Sequence, residues 1–200
     1  MRHVTDDPAQ AALARVRGAV LIHASACAHK GKAVLLAGRP GTGKTTIAAR
    51  LVQQGLRYYA DDCAVVDRRS LALVGFAVPM RVKPDSVSLL EPWGTRLVPG
   101  ARVGDVTPIA PGRAALPRGR ARIAAIVFPR FRSAARCRLA PCSKAQALTL
   151  LLELAYEATP ARASAFRALS RLVRRASCHT LEFGDVDEAA SAVSELIGSG

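Results

Sequence analysis

The pattern of apolar and polar residues divides the first half of the chain into short strands and one clear helix. Two apolar runs separated by a turn at residues 29–32 predict a β-hairpin over 18–28 and 33–37. A second hairpin is predicted around the polar turn at 68–70. In chain order the predicted elements are a short helix over 8–17, strands over 18–24 and 33–37, a helix over 45–54 that stops at Gly55, and strands over 56–60, 63–67 and 71–75.

Helix start signals and one uninterrupted apolar run organise the second half of the chain. The apolar residues 123–128 predict a buried, central strand. Ser143 with Gln146, and Asp185 with Glu188, have the spacing of helix caps. Strands that alternate with helices, together with the early hairpins, predict an α/β fold with a mixed sheet and flanking helices. The further predicted elements are a strand over 137–139, a helix over about 143–157, a helix that Pro160 opens and whose face carries Phe166, Leu169, Leu172 and Val173, a strand over 178–183 and a last helix through Leu196.

Residues 79–119 differ in composition from the rest of the chain. Seven prolines and five glycines fall in this segment, which predicts a long irregular stretch. Long loops in compact domains usually serve binding, so we expect substrate-side elements here. The length favours one domain over residues 1–200, with 1–17 as an N-terminal extension.

The clearest motif is GRPGTGKT at Gly38–Thr45, which matches the phosphate-binding loop (Walker A) pattern G-x-x-x-x-G-K-[ST]. A strand-like run precedes it and a helix-like run follows it, which is the context that a P-loop requires. Glycines let backbone N–H groups turn towards an anion, and the helix start adds the positive end of its dipole. Lys44 would reach the β- and γ-phosphates, and the Thr45 hydroxyl would bind Mg2+. The predicted ATP-binding residues are Gly38, Arg39, Pro40, Gly41, Thr42, Gly43, Lys44, Thr45 and Thr46.

Two adjacent carboxylates are the candidates for the rest of the site. Asp61 and Asp62 end a predicted strand 17 and 18 residues after Lys44. In open α/β sheets ligands gather at the carboxyl ends of strands, so this strand end should lie beside the loop. If the chain bends there, one carboxylate can face Mg2+ and the other an acceptor hydroxyl. A solvated acidic turn is the alternative. His23, fifteen residues before Gly38, is a third candidate, although a lone histidine in a strand is more often structural.

Charge and cysteine content narrow the classes of partner. The net charge of +14 indicates anionic partners, either nucleic acid or phosphate groups. The 24 arginines against 5 lysines favour a compositional bias, and aromatic residues are only 4%, which disfavours a base-stacking nucleic-acid platform. Five cysteines without zinc spacing predict reduced thiols and a cytoplasmic protein. No run of 18 apolar residues exists, so no membrane span is expected, and the N-terminus has acids and His23 where a secretion signal would be apolar.

Residues 18–67 resemble the catalytic domain of HPr kinase/phosphorylase and its kinase relatives. The resemblance rests on the histidine of I-H-A-S, the glycine-rich loop and A-D-D at the next strand end, in that order and spacing. Weaker similarity continues in PMRVKPDSV, IAAIVFPRF and LAPCSKAQALTLLLEL. The resemblance implies a nucleotide-binding core like that of ATP-dependent phosphoenolpyruvate carboxykinase. It also implies an ATP- and Mg2+-dependent serine kinase.

The resemblance also implies roles for individual residues. His23 would lie near the metal and the transferred phosphate. Asp61 would be the base that accepts the serine proton, and Asp62 the carboxylate on the metal side, although this order could be reversed. Arg81 and Lys83 would bind phosphate or substrate. The family's second signature, a glutamate followed by an R-G-L-G-like run, is absent, so HPr as substrate and the reverse phosphorolysis do not follow.

The sequence therefore favours a kinase that acts on a serine of a protein or peptide. A small-molecule kinase is one alternative, because compact metabolite kinases also carry an acidic strand end behind the loop helix. A P-loop nucleotide-binding or NTPase module for a nucleic-acid or protein partner is another, supported by the net charge. The sequence leaves open the acceptor, the choice among ATP, GTP and pyrophosphate, and whether the chain forms homo-oligomers.

Overall fold

The strands assemble into one large mixed sheet and one small antiparallel sheet. The structure is a computed structural model that describes residues 18–91, 96–156 and 162–198. The strands are β1 (Ala19–Ile22), β2 (Ala24–His29), β3 (Lys32–Ala37), β4 (Arg57–Ala60), β5 (Ala64–Asp67), β6 (Ala72–Val74), β7 (Met80–Val82), β8 (Leu97–Pro99), β9 (Thr107–Pro111), β10 (Ala121–Phe131), β11 (Arg138–Pro141) and β12 (Ser177–Phe183). The helices are α1 (Lys44–Gln53), α2 (Pro84–Val87), α3 (Lys144–Leu154), α4 (Arg162–Arg175) and α5 (Val186–Gly198).

The large sheet has the order β1-β5-β6-β10-β3-β2-β4, and β12 pairs with both β10 and β11. Strands β3 and β12 run parallel to β10, whereas the other pairings in this sheet are antiparallel. The apolar run predicted as a central strand is β10, which is longer than the prediction and contacts three strands. The structure thus confirms a mixed α/β fold with flanking helices, in which antiparallel pairing dominates.

Helices cover both faces of the large sheet, and alternate side chains of β3 enter the two cores that these helices form with the sheet. Ala33 and Leu35 pack with α3 and α4, while Val34 and Leu36 pack with α1 and α5. A strand buried on both faces is apolar along its buried length, as β3 is from Ala33 to Ala37. The glycine-rich segment follows β3, so the loop is held between the sheet and α1.

The predicted hairpins and caps are present. Strands β2 and β3 pair from Ala24↔Ala37 to His29↔Lys32, and β5 pairs with β6. The Ser143 hydroxyl accepts a hydrogen bond from the Gln146 amide at 3.1 Å. The Asp185 carboxylate accepts from the amides of Asp187 and Glu188 at 2.7 and 3.0 Å. These side chains satisfy amides that a helix start leaves without intrahelical partners.

The segment 79–119 is more regular than its composition suggests. Strands β7, β8 and β9 form a three-stranded antiparallel sheet in the order β7-β9-β8, and the short helix α2 follows β7. Proline cannot donate to a strand ladder. Two prolines nevertheless lie in the central strand β9, and a third ends the edge strand β8. Met80, Val82 and Leu97 of this small sheet share a core with α1. The expectation of an irregular loop is therefore wrong for this part of the chain.

The apolar face expected on α4 is only partly buried. Phe166 was expected on the buried face of its helix but is 49% exposed, whereas Leu169, Leu172 and Val173 are buried. The predicted helix over 8–17 and the helix start at Pro160 lie outside the described residues. Among the described residues, no helix is both long and apolar enough to cross a membrane.

Candidate active site

The glycine-rich loop connects β3 to α1 and depends on two left-handed glycines. Gly41 and Gly43 have φ angles of 83° and 92°, values that favour glycine. A Cβ on Gly43 would also lie 2.5 Å from Cζ of Phe183, so the loop packs directly on that ring. Lys44 is the first residue of α1 and is buried, and its Nζ donates to the Arg39 carbonyl at 3.1 Å. The loop thus folds around its own lysine.

The two aspartates lie beside this loop because of the strand directions. Strand β4 is antiparallel to β2, and β2 is antiparallel to β3, so β3 and β4 run in the same direction. Both strands therefore end at the same edge of the sheet. The segment after β3 carries the loop, and the segment after β4 carries Asp61 and Asp62. The expected meeting of the loop with the acidic strand end is present in the structure.

Asp61 is buried and faces the start of α1. Its carboxylate accepts hydrogen bonds from the Thr45 hydroxyl at 3.0 and 3.1 Å and from the Ser25 hydroxyl. Burial raises the pKa of Asp61, and the neighbouring charge of Asp62 raises it further, while both hydroxyls and Lys44 oppose the shift. Asp61 is 2% exposed, so a molecule in the cavity cannot reach its carboxylate without displacing these hydroxyls.

Asp62 faces the other way because the chain turns sharply at this residue. Its φ is 59°, and the Cys63 amide donates to the Asp61 carbonyl at 2.7 Å. The Asp62 side chain is 43% exposed and lies 3.3 Å from His23 Nε2. The hydrogen bond with His23 lowers the pKa of Asp62, and the charges of His23, Lys44 and Arg81 lower it further, while burial opposes the shift. Two consecutive residues thus carry a buried carboxyl and a solvent-facing carboxylate.

His23 lies between two strands and not within one. The chain bends after β1, and β2 begins at the next residue. The His23 amide donates to the Leu154 carbonyl at 2.8 Å, and the ring lies 6.2 Å from that of Tyr156. The Tyr156 hydroxyl donates to the Asp62 carbonyl at 2.9 Å. The Tyr156 side chain therefore touches both members of the His23–Asp62 pair.

Lys44 completes the charged cluster. Burial lowers the pKa of Lys44, and the charges of Asp62 and Asp61 oppose this shift. The two neighbouring carboxylates favour the charged form of this lysine, which is placed to attract an anion that enters the loop.

A cavity of about 520 Å³ opens over the loop. Arg81 and Lys83, which flank Val82 at the end of β7, both line it. Gly38, Arg39 and Thr42 line a second cavity of about 730 Å³ beside β10 and α3, and Arg39 lies 3.7 Å from Glu153 there. The residues of the loop and strand ends that line the first cavity are Pro40, Gly41, Gly43, Lys44, Thr45, Thr46, Asp62, Arg81 and Lys83.

The residues present fit a hard divalent cation that is held partly by a ligand. The described residues contain no group of three or more His, Cys, Asp or Glu side chains that could hold a metal alone. Thr45 lines the cavity over the loop, and its Oγ1 lies 3.0 Å from the buried Asp61 carboxylate, a second oxygen donor directly behind it. Mg2+ is usually bound by one or two protein oxygens together with phosphates and water, and this pair suits that manner of binding.

Sequence reasoning missed Ser25, Tyr156 and the aromatic wall of the cavity. Ser25 is a fully buried polar residue between alanines of β2, and a polar side chain inside an apolar run is a signal that the sequence contains. Tyr156 and Phe183 are distant in sequence, and only the fold brings them to the site. The structure does bring together His23, Lys44, Thr45, Asp61, Asp62 and Arg81.

Comparison with known proteins gives limited similarities. The family model of the SynChlorMet cassette protein ScmC matches residues 10–76, about a third of the chain. A search of curated proteins found no match. Among solved structures, the chain is similar to the Hpr(Ser) kinase/phosphatase from Coxiella burnetii, with 10% identity and a TM-score of 0.39, over 90% of this chain and 99% of that one. This similarity is a weak resemblance of fold.

Proposed function

We propose that the chain is an ATP- and Mg2+-dependent kinase that phosphorylates a serine hydroxyl of a protein or peptide. The observation that carries the proposal is that two adjacent carboxyls have different surroundings, each suited to a different role. Asp61 is bonded to the Thr45 hydroxyl at the mouth of the loop, while Asp62 faces the cavity beside His23. A phosphoryl transferase needs one acidic group for the metal and another for the acceptor, both beside the phosphate site.

Phosphate binding falls to the loop and to three cations. The backbone amides around Gly41 and Gly43 and the N-terminus of α1 suit the β- and γ-phosphates. Lys44 exchanges its bond to the Arg39 carbonyl for a phosphate oxygen. Arg81 and Lys83 supply further positive charge from β7 and its C-terminal end. Phosphoryl transfer has a loose transition state, so positioning and charge neutralisation provide most of the rate enhancement.

The same geometry proposes which residues hold Mg2+. Thr45 Oγ1 and the Asp61 carboxylate would bind it, because they are neighbouring oxygen donors. The hydroxyls of Thr45 and Ser25 both donate to this carboxylate and hold it in position. When bound, Mg2+ neutralises charge on the phosphates. The Ser25 hydroxyl also donates to Asp61 Oδ1 and so helps to fix the orientation of this carboxylate.

The geometry favours Asp62 as the group that accepts the serine proton, which reverses the order inferred from the sequence. Asp61 is enclosed, whereas Asp62 lines the cavity. The lowered pKa keeps Asp62 ionised at neutral pH, so it can accept a hydrogen bond from the incoming hydroxyl. His23 and the Tyr156 hydroxyl hold it in place. The hydroxyl oxygen attacks the γ-phosphorus, its proton passes to Asp62, and the bond between the γ-phosphorus and the bridging oxygen of ADP breaks.

The support for serine as acceptor is the resemblance of His23, the loop and Asp61–Asp62 to HPr-kinase-like sequences. The acceptor is therefore what the experiment must decide. Transfer from ATP labelled at the γ-phosphate is measured towards serine-containing peptides, a panel of hydroxylated metabolites, and water with or without nucleic acid. Wild type is compared with Lys44→Ala, Asp61→Asn and Asp62→Asn. Asp105→Asn removes an exposed acid and is the matched control.

We expect peptide labelling that falls about 100- to 1,000-fold in Lys44→Ala and in Asp62→Asn, the effect of removing one group that stabilises the transition state. Asp61→Asn should raise the Mg2+ concentration needed for half-maximal rate. Asp105→Asn should act as wild type. A wild-type rate in Asp62→Asn would refute the proposed base. Labelling of metabolites alone would indicate a small-molecule kinase, and hydrolysis that only nucleic acid stimulates would indicate an NTPase module.

A further inference from the structure

A large aromatic side chain stands exposed at the wall of the cavity that contains the loop. Phe131 is the last residue of β10 and is 51% exposed, while Phe183 at the end of β12 is buried. Both rings line the cavity together with Gly43, Lys44 and Thr45. A half-exposed phenylalanine inside a cavity loses apolar burial that a bound ring could restore.

Phe131 is linked to the loop through one intervening ring. Phe183 packs against Gly43, where any Cβ would lie 2.5 Å from Cζ of the ring. Phe131 contacts Phe183 edge to face, with ring centroids 5.6 Å apart and planes at 64°. Strand pairing sets the two residues in register, and the Arg132 amide donates to the Phe183 carbonyl at 2.9 Å. The exposed ring is thus fixed relative to the loop by backbone pairing as well as by packing.

The surroundings of Phe131 suit an uncharged ring better than phosphate. The cations that line the cavity are Lys44, Arg81 and Lys83, which belong to the loop, to β7 and to its C-terminal end. The part of the lining that follows Phe183 is acidic, with Asp185 and Asp187. Asp185 accepts hydrogen bonds from helix amides, and Asp187 forms an ion pair with Arg50. Phosphate would be repelled beside these carboxylates.

We propose that the exposed face of Phe131 is the platform on which the base of the bound nucleotide stacks. The inference rests on the proposed function, because it assumes that the loop binds the phosphates of the same molecule. Stacking uses the π-face that every base has, so this platform holds the nucleoside without choosing between adenine and guanine. It also predicts that inorganic polyphosphate, which has no base, binds without any contribution from Phe131.

The test compares ATP with inorganic tripolyphosphate, both with Mg2+, by calorimetric titration of the full chain. The variants are Phe131→Ala, Phe131→Tyr and Phe166→Ala, which removes an equally exposed phenylalanine from α4, away from the cavity. Phe131→Ala should weaken ATP binding about tenfold, which is about 1.4 kcal/mol, and leave tripolyphosphate binding unchanged. Phe131→Tyr retains an aromatic face and should bind ATP as wild type does, as should Phe166→Ala.

Each other outcome overturns a defined part of the argument. Unchanged ATP affinity in Phe131→Ala would refute the platform. Equal weakening of ATP and tripolyphosphate would also refute it, since the ring would then act only through the loop structure. If wild type binds tripolyphosphate and ATP equally well, the base makes no contact and the platform is again refuted, while the phosphate site stands. Failure of wild type to bind either ligand would refute the proposed function itself and the platform with it.

Discussion

At the scale of single residues, the candidate site contains a buried carboxyl whose ionisation destabilises the folded protein. Asp61 is buried, and its raised pKa means that the folded protein disfavours the ionised form. The hydroxyls of Ser25 and Thr45 compensate only in part, since burial remains the largest effect. Groups that are kept charged for function commonly reduce stability, and replacing them often stabilises a fold.

We therefore expect Asp61→Asn to be more stable than wild type, while it needs a higher Mg2+ concentration for the proposed kinase activity. Asparagine keeps the shape and an acceptor oxygen without the buried charge. A carboxyl whose folded pKa is raised contributes stability that is present below its unfolded pKa and is lost as pH rises through its folded pKa. The gain of the variant should be about 1 kcal/mol, or about 3 °C in Tm, at neutral pH.

Thermal unfolding followed by circular dichroism at several pH values checks this prediction. The stability gain of Asp61→Asn should shrink as the pH falls towards about 4, because wild-type Asp61 then takes up its proton. Asp105→Asn should show no such trend, since that carboxylate is exposed. A variant less stable than wild type at neutral pH would mean that the hydroxyls and Lys44 outweigh the cost of burial.

The two aspartates also show what the sequence alone could not decide. The spacing from Lys44 predicted that an acidic strand end meets the loop, and the parallel directions of β3 and β4 make it so. The separate roles proposed for them depend on the turn at Asp62, whose positive φ sends the second carboxylate to the cavity. The sequence does not indicate which of the two aspartates faces the cavity, because either one could do so at the end of a strand. The difference between them arises from the fold and not from the local sequence.

At the scale of elements, the connection from β3 to α1 should tolerate substitutions unevenly. Gly41 and Gly43 both have positive φ, but a Cβ on Gly41 meets nothing within 4 Å, whereas one on Gly43 meets Phe183. Gly41→Ala should cost only the left-handed conformation, about 1 kcal/mol. Gly43→Ala should cost that amount plus the displacement of a buried ring, about 3 kcal/mol in all.

Urea unfolding of both variants measures the difference, and each serves as the control for the other. A larger loss in Gly43→Ala would show that the loop and the strand end of β12 form one packed unit. Equal losses would contradict the contact between Gly43 and Phe183. Because the proposed nucleotide platform depends on that contact, Gly43→Ala should also weaken ATP binding more than Gly41→Ala does.

Elements with strong local signals were predictable from the sequence, and those that depend on tertiary context were not. The β2–β3 turn, the continuous apolar run of β10 and the caps Ser143 and Asp185 follow from local patterns. The small sheet was missed because its strands β7 and β8 have three residues each and prolines interrupt the pattern. Such short strands form because they pack on α1, a contact that no local window contains.

At the scale of the whole molecule, the sheet separates two cores and places the site at one edge. The strand order joins β1 to β5, and β3 to β10, across long stretches of chain. These pairings follow from packing between distant segments, so composition and periodicity predicted a mixed sheet without predicting its order. The directions of β3, β4, β10 and β12 bring the loop, the acidic turn and both phenylalanines to one cavity.

The five cysteines provide a test of this arrangement over the whole chain. Cys27 of β2 and Cys178 of β12 are buried in the large sheet, and Cys63 is buried just before β5, while Cys137 and Cys142 are half-buried near β11. Cys27 lies between β3 and β4 in the sheet, and its Sγ donates to the Ala48 carbonyl at 3.6 Å. Burial raises the pKa of the Cys27, Cys137, Cys142 and Cys178 thiols, which slows their reaction further.

We expect an alkylating reagent under reducing pre-treatment to modify only Cys137 and Cys142 in the folded protein, and to modify them slowly, because only these two thiols are partly accessible. All five should react in denaturant, and intact-mass and peptide mapping distinguish the two patterns. The double variant Cys137→Ser, Cys142→Ser is the matched control, since it should remain unlabelled until it unfolds. Labelling of Cys27 in the folded protein would contradict the packing of α1 on the sheet. Because the loop, Lys44 and Thr45 are positioned by that packing, such a result would remove the basis of the candidate site as well.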